Sequence, residues 1–381
     1  MFFEMQSTKQ RNYYCDLLKS IGALSRLYSD NECPYIGYRE AENMFCLAFE
    51  ADNLSRSDVS ADAAKDGIGI GMKTFLNTNG RSLQKVAEFN KDADLYRGKG
   101  SKEIVNIVAE LRNERINSTM RIHGLHKMIY HCVVRSERKI MVFEENMDEV
   151  DIDSIKNIKE SKNTITFRDN KHEYSFNLSK STLYKRFITP NSLLIDLDID
   201  VLDNPFEAIR KLVTDGSDLL KFVPIMKNKE HVFLPLYSVK KGDKYVPEKS
   251  GLNQWNAGGR KRDPNEVYIS IPSWIHKEFV GFFPNRDVAF ELILPDKSKL
   301  SAKVCQDGGK ALMSNPNLDL GKWILRQVMN LDECELLTYE KLEDIGVDSV
   351  IIYKECERAY SINFTKIGSY EQFKEENKTN I

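Results

Sequence analysis

Asp62, Lys73 and Glu88 fall within one stretch, SADAAKDGIGIGMKTFLNTNGRSLQKVAEFNK, that runs from Ser60 to Lys91. Two carboxylates and a lysine are the minimum equipment for hydrolysing a phosphodiester with Mg²⁺. Carboxylate oxygens hold a hard cation, the cation polarises the phosphate and lowers the pKa of water, and the lysine steadies the attacking water or the developing charge. An acidic residue at a strand end and a surface lysine also occur in ordinary α/β proteins, so spacing alone leaves both readings open.

The elements that would bring these groups together are legible around them. The pattern predicts a short strand carrying Asp62, a turn at Lys65-Asp66-Gly67, a second strand through Ile68, Ile70, Met72 and Thr74, and then a helical turn carrying Glu88. Such a hairpin sets Asp62 and Lys73 at the open side of a small sheet, and the following segment can return Glu88 to them. Upstream, 9–28 reads as a helix with Leu17, Leu18, Ile21 and Leu24 on its apolar face. A second helix, from about 39 to 50, is expected to bury Met44, Leu47 and Ala48. Helices of this kind cover the apolar faces of a sheet that fixes the chemical groups.

With those residues in view, the stretch resembles the PD-(D/E)XK nuclease core. Asp62 matches the first motif position and Lys73 the last, while Gly71 stands where the second carboxylate is expected. Some restriction endonucleases of that superfamily take the second carboxylate from a helix after the lysine, and Glu88 lies at about that place. Glu42, on the preceding helix, resembles an additional acidic residue that many members carry. The resemblance therefore implies a catalytic set of Asp62, Lys73, Glu88 and Glu42, with Asp62 and Glu88 holding Mg²⁺.

A chain of 381 residues is long for one hydrophobic core and suggests two domains. Its 41% hydrophobic and 29% charged content is that of an ordinary soluble protein. No apolar run is long enough to span a bilayer, and MFFEMQSTKQRN lacks the apolar run of a signal peptide, so a cytoplasmic location and no membrane partner are expected. Seven cysteines without a C-x-x-C pair read as reduced thiols. A net charge of −2 argues against indiscriminate coating of nucleic acid, although 250–330 is mildly basic. His123, His126 and His131 cluster in sequence without any metal-binding or HxK pattern, and ordinary packing is expected of them. Farther on, 101–118 reads as a helix, KMIYHCVV and KIMVFEE as strands, and NTITF and EYSFNLS as a further pair. In the basic run SKSTLYKRF, Ser179, Lys180, Ser181, Lys185 and Arg186 could contact phosphates or simply be solvated.

Composition changes near 190–200, which suggests a first domain at 1–192, a connecting region at 193–224 containing the short helix FEAIRKLV, and a second domain at 225–381. The second domain reads as strands in VFLPLYS, EVYISI, DVAFELIL, KLSAKVC, ELLTY and DSVIIYK, with KWILRQVM as a helical insertion and a polar, frayed tail after Thr365. Trp274 and Trp323 read as core. Two polar, glycine-containing blocks interrupt the strands. In LNQWNAGGRKRD, Asn253, Gln254 and Asn256 carry the donor and acceptor pair suited to adenine, Arg260 or Arg262 suits guanine, and Trp255 pins the loop. The second block, around CQDGGKALMSNPN, offers Lys303, Gln306, Asp307 and Lys310, then Ser314, Asn315 and Asn317.

These two blocks and the strands around them, over roughly 225–365, resemble the DNA-recognition region of the NgoFVII type of restriction endonuclease. That resemblance implies a B3-like pseudobarrel whose two arms, here the two blocks, grip double-stranded DNA. The expected architecture is two-domain: an α/β PD-(D/E)XK-like nuclease core followed by a mainly β B3-like pseudobarrel. The expected activity is that of a type II site-specific deoxyribonuclease of a bacterial restriction-modification system. Its companion DNA methyltransferase would be encoded separately, and a homodimer would cut both strands. The competing expectation is a non-catalytic, sequence-specific DNA-binding protein with a decayed nuclease core, a reading to which Gly71 lends weight.

Overall fold

The computed structural model describes residues 1–54, 59–214 and 229–378. The described residues form two compact units, the first from 1–54, 59–119 and 126–214, the second from 120–125 and 229–378.

The first unit is built on a six-stranded sheet ordered Asp52–Asn53, Ala63–Lys65, Ile68–Leu76, Lys127–Ser136, Lys139–Asn146 and Ile195–Asp198. Only Ile68–Leu76 and Lys127–Ser136 run parallel, joined through a crossover that includes the helix Ser101–His123. The expected hairpin is present. Lys65 pairs with Ile68, and Asp66 and Gly67 both take positive φ, 51° and 73°, which is the two-residue turn that matches strand twist. A β-carbon on Gly67 would stand 2.4 Å from His126 Nδ1, so the turn requires glycine for space as well as for φ.

Alternation along Ile68–Leu76 divides its side chains between two environments. Ile68, Ile70 and Met72 face an apolar core with Tyr14, Leu18, Phe45 and Phe49 from the helices Thr8–Ala23 and Tyr38–Phe49. Within Tyr38–Phe49 the buried apolar residues are Ala41, Met44, Phe45, Ala48 and Phe49, so Met44 and Ala48 are buried as expected, whereas Leu47 is exposed, contrary to expectation. The aromatic rings at i and i+4 take the sheet-facing side and turn Leu47 away from it.

A second, five-stranded antiparallel sheet in this unit is ordered Arg81–Glu88, Thr182–Ile188, Glu173–Asn177, Thr164–Arg168 and Lys156–Ser161. Its core joins Phe89, Phe176 and Leu183 to Ile104, Val105 and Val108 of the helix Ser101–His123. Glu88 thus ends a strand and is not helical. Residues 82–86 alternate between exposed and half-buried, the period of an outer strand. Lys185 is buried against Glu145 and the Phe187 ring, and Ser181 is also buried, so neither is presented to a phosphate. The strand Ile195–Asp198 pairs with Lys139–Asn146, which makes the start of the supposed connector part of the first unit. The expected short helix follows as Pro205–Thr214.

The second unit is a seven-stranded sheet ordered His231–Pro235, Val347–Cys356, Ala359–Lys366, Ala289–Ile293, Lys299–Cys305, Ala311–Ser314 and Ile269–Ser270. Its first and last strands approach each other, so the sheet nearly closes into a barrel. The expected strand ELLTY is absent. Its Thr338 caps the helix Tyr339–Asp344 by accepting from the Lys341 amide. The expected tail is instead a helix, Ser369–Lys378, because Tyr370 and Phe373 share a face that packs on Trp274. Trp274 donates to the Tyr370 hydroxyl at 3.0 Å, and Trp323 is buried against Phe364.

Among the described residues, no helix is long and apolar enough to cross a membrane. All seven cysteines are free thiols.

Candidate functional site

Asp62 precedes the first strand of the hairpin and is tied to the second. Its backbone N–H donates to Ile70 O at 2.8 Å, and its carboxylate Oδ2 accepts from the Met72 amide at 2.7 Å. Met72 is the residue before Lys73, so the same stretch of strand fixes both groups. Burial pushes the Asp62 carboxyl up, against the opposing pull of Lys73 and the Met72 amide. Burial pushes the Lys73 ammonium down, Asp62 draws it back up, and Arg112 drives it further down. The Lys73 ammonium lies 5.7 Å from the centre of the Tyr130 ring.

Glu42 reaches the same neighbourhood from the helix Tyr38–Phe49. It is 5% exposed, forms an ion pair with Arg39 at 3.2 Å, and contributes to the field on Lys73. The Cys46 thiol, one turn farther along that helix, is pushed up to about 12 by burial and by the charges of Glu42, Asp52 and Asp62. Asp52 carries no signal in the sequence, because it sits in the polar run DNLSRSD. Paired strands bring it to this edge: Asp52 opposes Ala64, two residues beyond Asp62.

Glu88 does not join this group. It belongs to the other sheet, opposite Thr182, where it pairs with Lys85 and accepts from the Asn90 amide. A carboxylate at position 71 would have to displace the end of Met147 and crowd the Tyr130 ring. A β-carbon on Gly71 would lie 2.6 Å from Met147 Cε and 3.1 Å from Tyr130 Cδ1. Among the described residues no group of three or more His, Cys, Asp or Glu is arranged to hold a metal ion. The acidic side chains near Lys73 are Asp62 and Glu42. These two are the residues near Lys73 that could offer oxygens to a hard cation.

Arg112 completes the cluster, and the sequence carried a signal for it. Ile104, Val108, Arg112 and Ile116 recur at intervals of four on the helix Ser101–His123, so the arginine falls in the apolar stripe. It is 3% exposed and donates to Tyr130 Oη at 2.7 Å and Ser60 Oγ at 2.8 Å. The Ser60 amide in turn donates to Thr119 Oγ1 at 2.9 Å. His131 is elsewhere, fully buried between the Tyr14 hydroxyl at 3.1 Å and Glu144 at 3.0 Å, and serves packing.

In the second unit, the first polar block forms a 3₁₀ turn, Gly251–Asn256, and a loop leading to the strand Ile269–Ser270. Asn253 is fully buried. Its amide donates to Pro247 O and Leu337 O at 3.1 and 2.8 Å and accepts from the Leu337 amide at 3.0 Å, so it staples loops, and its burial keeps it from a base. Gln254 and Trp255 are half-buried, and Gln254 Oε1 and Trp255 Nε1 are buried atoms without a partner among the described residues. Asn256 donates to Glu248 O at 3.0 Å. Arg262 is also turned inward, donating to the carbonyls of Ala257 at 2.5 Å and Gly258 at 2.8 Å. Arg260 is exposed.

The second block separates similarly. Ser314 is buried and accepts from the Leu320 amide at 2.9 Å, which ties the strand end to the next segment. Asn317 is half-buried, whereas Lys310 and Asn315 are exposed. Gln306 has a φ of 66° at the start of the turn, Asp307 pairs with Arg286 at 3.1 Å, and Lys303 pairs with Asp287 at 3.4 Å. The strand Ala311–Ser314 separates the turn at 306–310 from Asn315 and Asn317. Ile269 and Ser270 pair with Leu312 and Ala311, so the chain arriving from the first block enters this pairing from the Ser314 end, and the 306–310 turn lies at the other end, where the Ile271 amide donates to Lys310 O.

Residues 226–355 match the family described as the NgoFVII C-terminal B3-like DNA-binding domain. The nearly closed barrel fits that description, and the chain carries a DNA-binding domain of the restriction-enzyme type. No curated protein matches the chain.

Proposed function

We propose that the protein is a sequence-specific endonuclease that hydrolyses double-stranded DNA with Mg²⁺, the second unit choosing the site and the first cutting it, as a type II restriction enzyme would. The observation that carries this reading is the pairing, in one chain, of a restriction-enzyme DNA-binding domain with a hairpin that holds Asp62 beside Lys73. Asp62 and Glu42 would hold the Mg²⁺, which when bound polarises the scissile phosphate and makes water acidic. The Met72 amide fixes Asp62 Oδ2 and leaves Oδ1 without a partner among the described residues. Lys73 Nζ, whose ammonium form burial and Arg112 disfavour while Asp62 favours it, would orient the attacking water or steady the developing charge. A separately encoded methyltransferase and a homodimer cutting both strands belong to the same proposal.

Incubation of the purified protein with mixed-sequence DNA and Mg²⁺ should give discrete fragments, and EDTA should abolish them. Asp62→Ala and Lys73→Met should bind the same sites without cutting, while Glu88→Ala should cut like the parent. Wild-type cleavage by Asp62→Ala would refute the catalytic assignment. One observation favours a binding protein with a decayed nuclease core, namely the filled space at Gly71. Discrete binding with no Mg²⁺-dependent cleavage by the parent protein would select that reading.

A further inference from the structure

Arg260 stands on the loop before Ile269–Ser270 with its side chain 58% exposed. A guanidinium offers five N–H donors in one plane. Nη1 donates to Glu266 Oε1 at 3.0 Å and to Lys261 O at 3.1 Å, and Nη2 donates to Glu266 Oε2 at 2.6 Å. The end-on fork is therefore committed to Glu266, and both hydrogens of Nη1 are used. Nε and the outer hydrogen of Nη2 have no partner among the described residues, and they form the side-on edge of the same plane.

Glu266 is itself anchored, 12% exposed and accepting from the Asp263 amide at 3.3 Å. The loop around it is pinned from two sides. Arg326 donates to Asn265 Oδ1 at 2.9 Å and to Pro264 O at 2.8 Å, while Arg262 holds the carbonyls of Ala257 and Gly258. An exposed arginine is ordinarily free to sweep many rotamers, but this one is oriented by a fixed carboxylate.

We infer that Glu266 is a specificity-determining positioning residue, which turns Arg260 so that its Nε/Nη2 edge reads the O6 and N7 acceptors of a guanine in the major groove. Two parallel donors on one rigid edge match that pair of acceptors. The carboxylate also offsets the positive charge of Arg260 and so weakens its attraction for phosphates at any sequence, which sharpens discrimination by disfavouring the wrong contact. This inference rests on the DNA-recognition half of the proposed function.

The test is selection of a randomised duplex library by the full-length chain in EDTA, with the parent, Arg260→Lys, Glu266→Gln and the double variant side by side. The parent should enrich a sequence containing a guanine at which Arg260→Lys alone relaxes preference, by about 5- to 150-fold. Lysine keeps the charge but lacks the fork, and the exposed position makes the substitution harmless to folding. Glu266→Gln should relax the same position, leave the others intact and bind random duplex at least as well as the parent. In the double variant the glutamine should add nothing to the effect of the lysine. The inference is overturned if Arg260→Lys keeps full preference at every guanine, if Glu266→Gln selects the parental sequence unchanged, or if its losses fall equally on all positions. A parent that enriches no sequence would overturn the recognition reading itself, an outcome distinct from those three.

Discussion

Restoring the missing motif carboxylate should harm the protein. Gly71→Asp places a β-carbon 2.6 Å from Met147 Cε and 3.1 Å from Tyr130 Cδ1, both on buried side chains. Overpacking of this kind costs about 1–3 kcal/mol. The stiffer unfolded chain returns roughly 0.4–1 kcal/mol. Carboxylate oxygens beyond the β-carbon then add the cost of burying a charge, which is several kcal/mol when it is poorly paired. A net loss of at least about 1 kcal/mol in a unit of this size lowers the melting temperature by roughly 2–4 °C or more. Thermal melts of the parent, Gly71→Asp, Met147→Ala and the double variant would measure it. The cost should shrink in the Met147→Ala background, because the two residues share one space. A Gly71→Asp protein that melts with the parent and cuts DNA faster would refute the reasoning, since it would show the space to be open and the motif repairable.

Asn253→Ala should lower the melting temperature without altering base preference, each buried group it leaves unpaired costing about 1–3 kcal/mol, as melts and site selection together would reveal. Glu266 is held below the usual carboxylate range by Arg260, so its contribution to stability is present above the ordinary glutamate value of about 4.3 and is lost as pH falls through the lower folded-state value. Acid titration of the parent against Glu266→Gln should therefore show the two curves converging at low pH, and a constant gap would contradict the pairing. Lys310→Ala should weaken cognate and random DNA alike and reduce the slope of log affinity against log salt by about one, read from binding isotherms at several salt concentrations.

Sequence reasoning succeeded where short-range rules dominate and stopped where distant strands decide. The hairpin of Asp62 and Lys73 was legible because Asp66-Gly67 dictates a turn and alternation fixes the faces. Glu88 was misplaced because nothing local told that 81–88 would leave the first sheet and pair with Thr182–Ile188. Arg112 is placed by its charge with Lys102 and Arg115, away from the apolar side of its helix, yet it is buried; only the fold supplies the Tyr130 hydroxyl and Ser60 that repay a buried guanidinium. In the second unit the strands were largely evident. Within the polar blocks, residue type could not separate Asn253 and Ser314, which build the loops, from Arg260 and Lys310, which face solvent. Asparagine serves a turn and a base edge with the same atoms, and burial alone distinguishes the two uses.

The strand Ala359–Lys366 lies inside the seven-stranded sheet, between Val347–Cys356 and Ala289–Ile293, yet it comes after the last residue of the family match at 355. The segment that the family match covers is thus shorter than the object that folds. A fragment cut at that shared boundary would lose an interior member, leaving the two halves of the sheet with facing rows of unpaired amides and carbonyls. Removing only the helix Ser369–Lys378 would spare the sheet but uncover Trp274, exposing a sticky aromatic surface. For anyone expressing the second unit alone, the working carboxy-terminal limit is set by Phe373 and not by similarity.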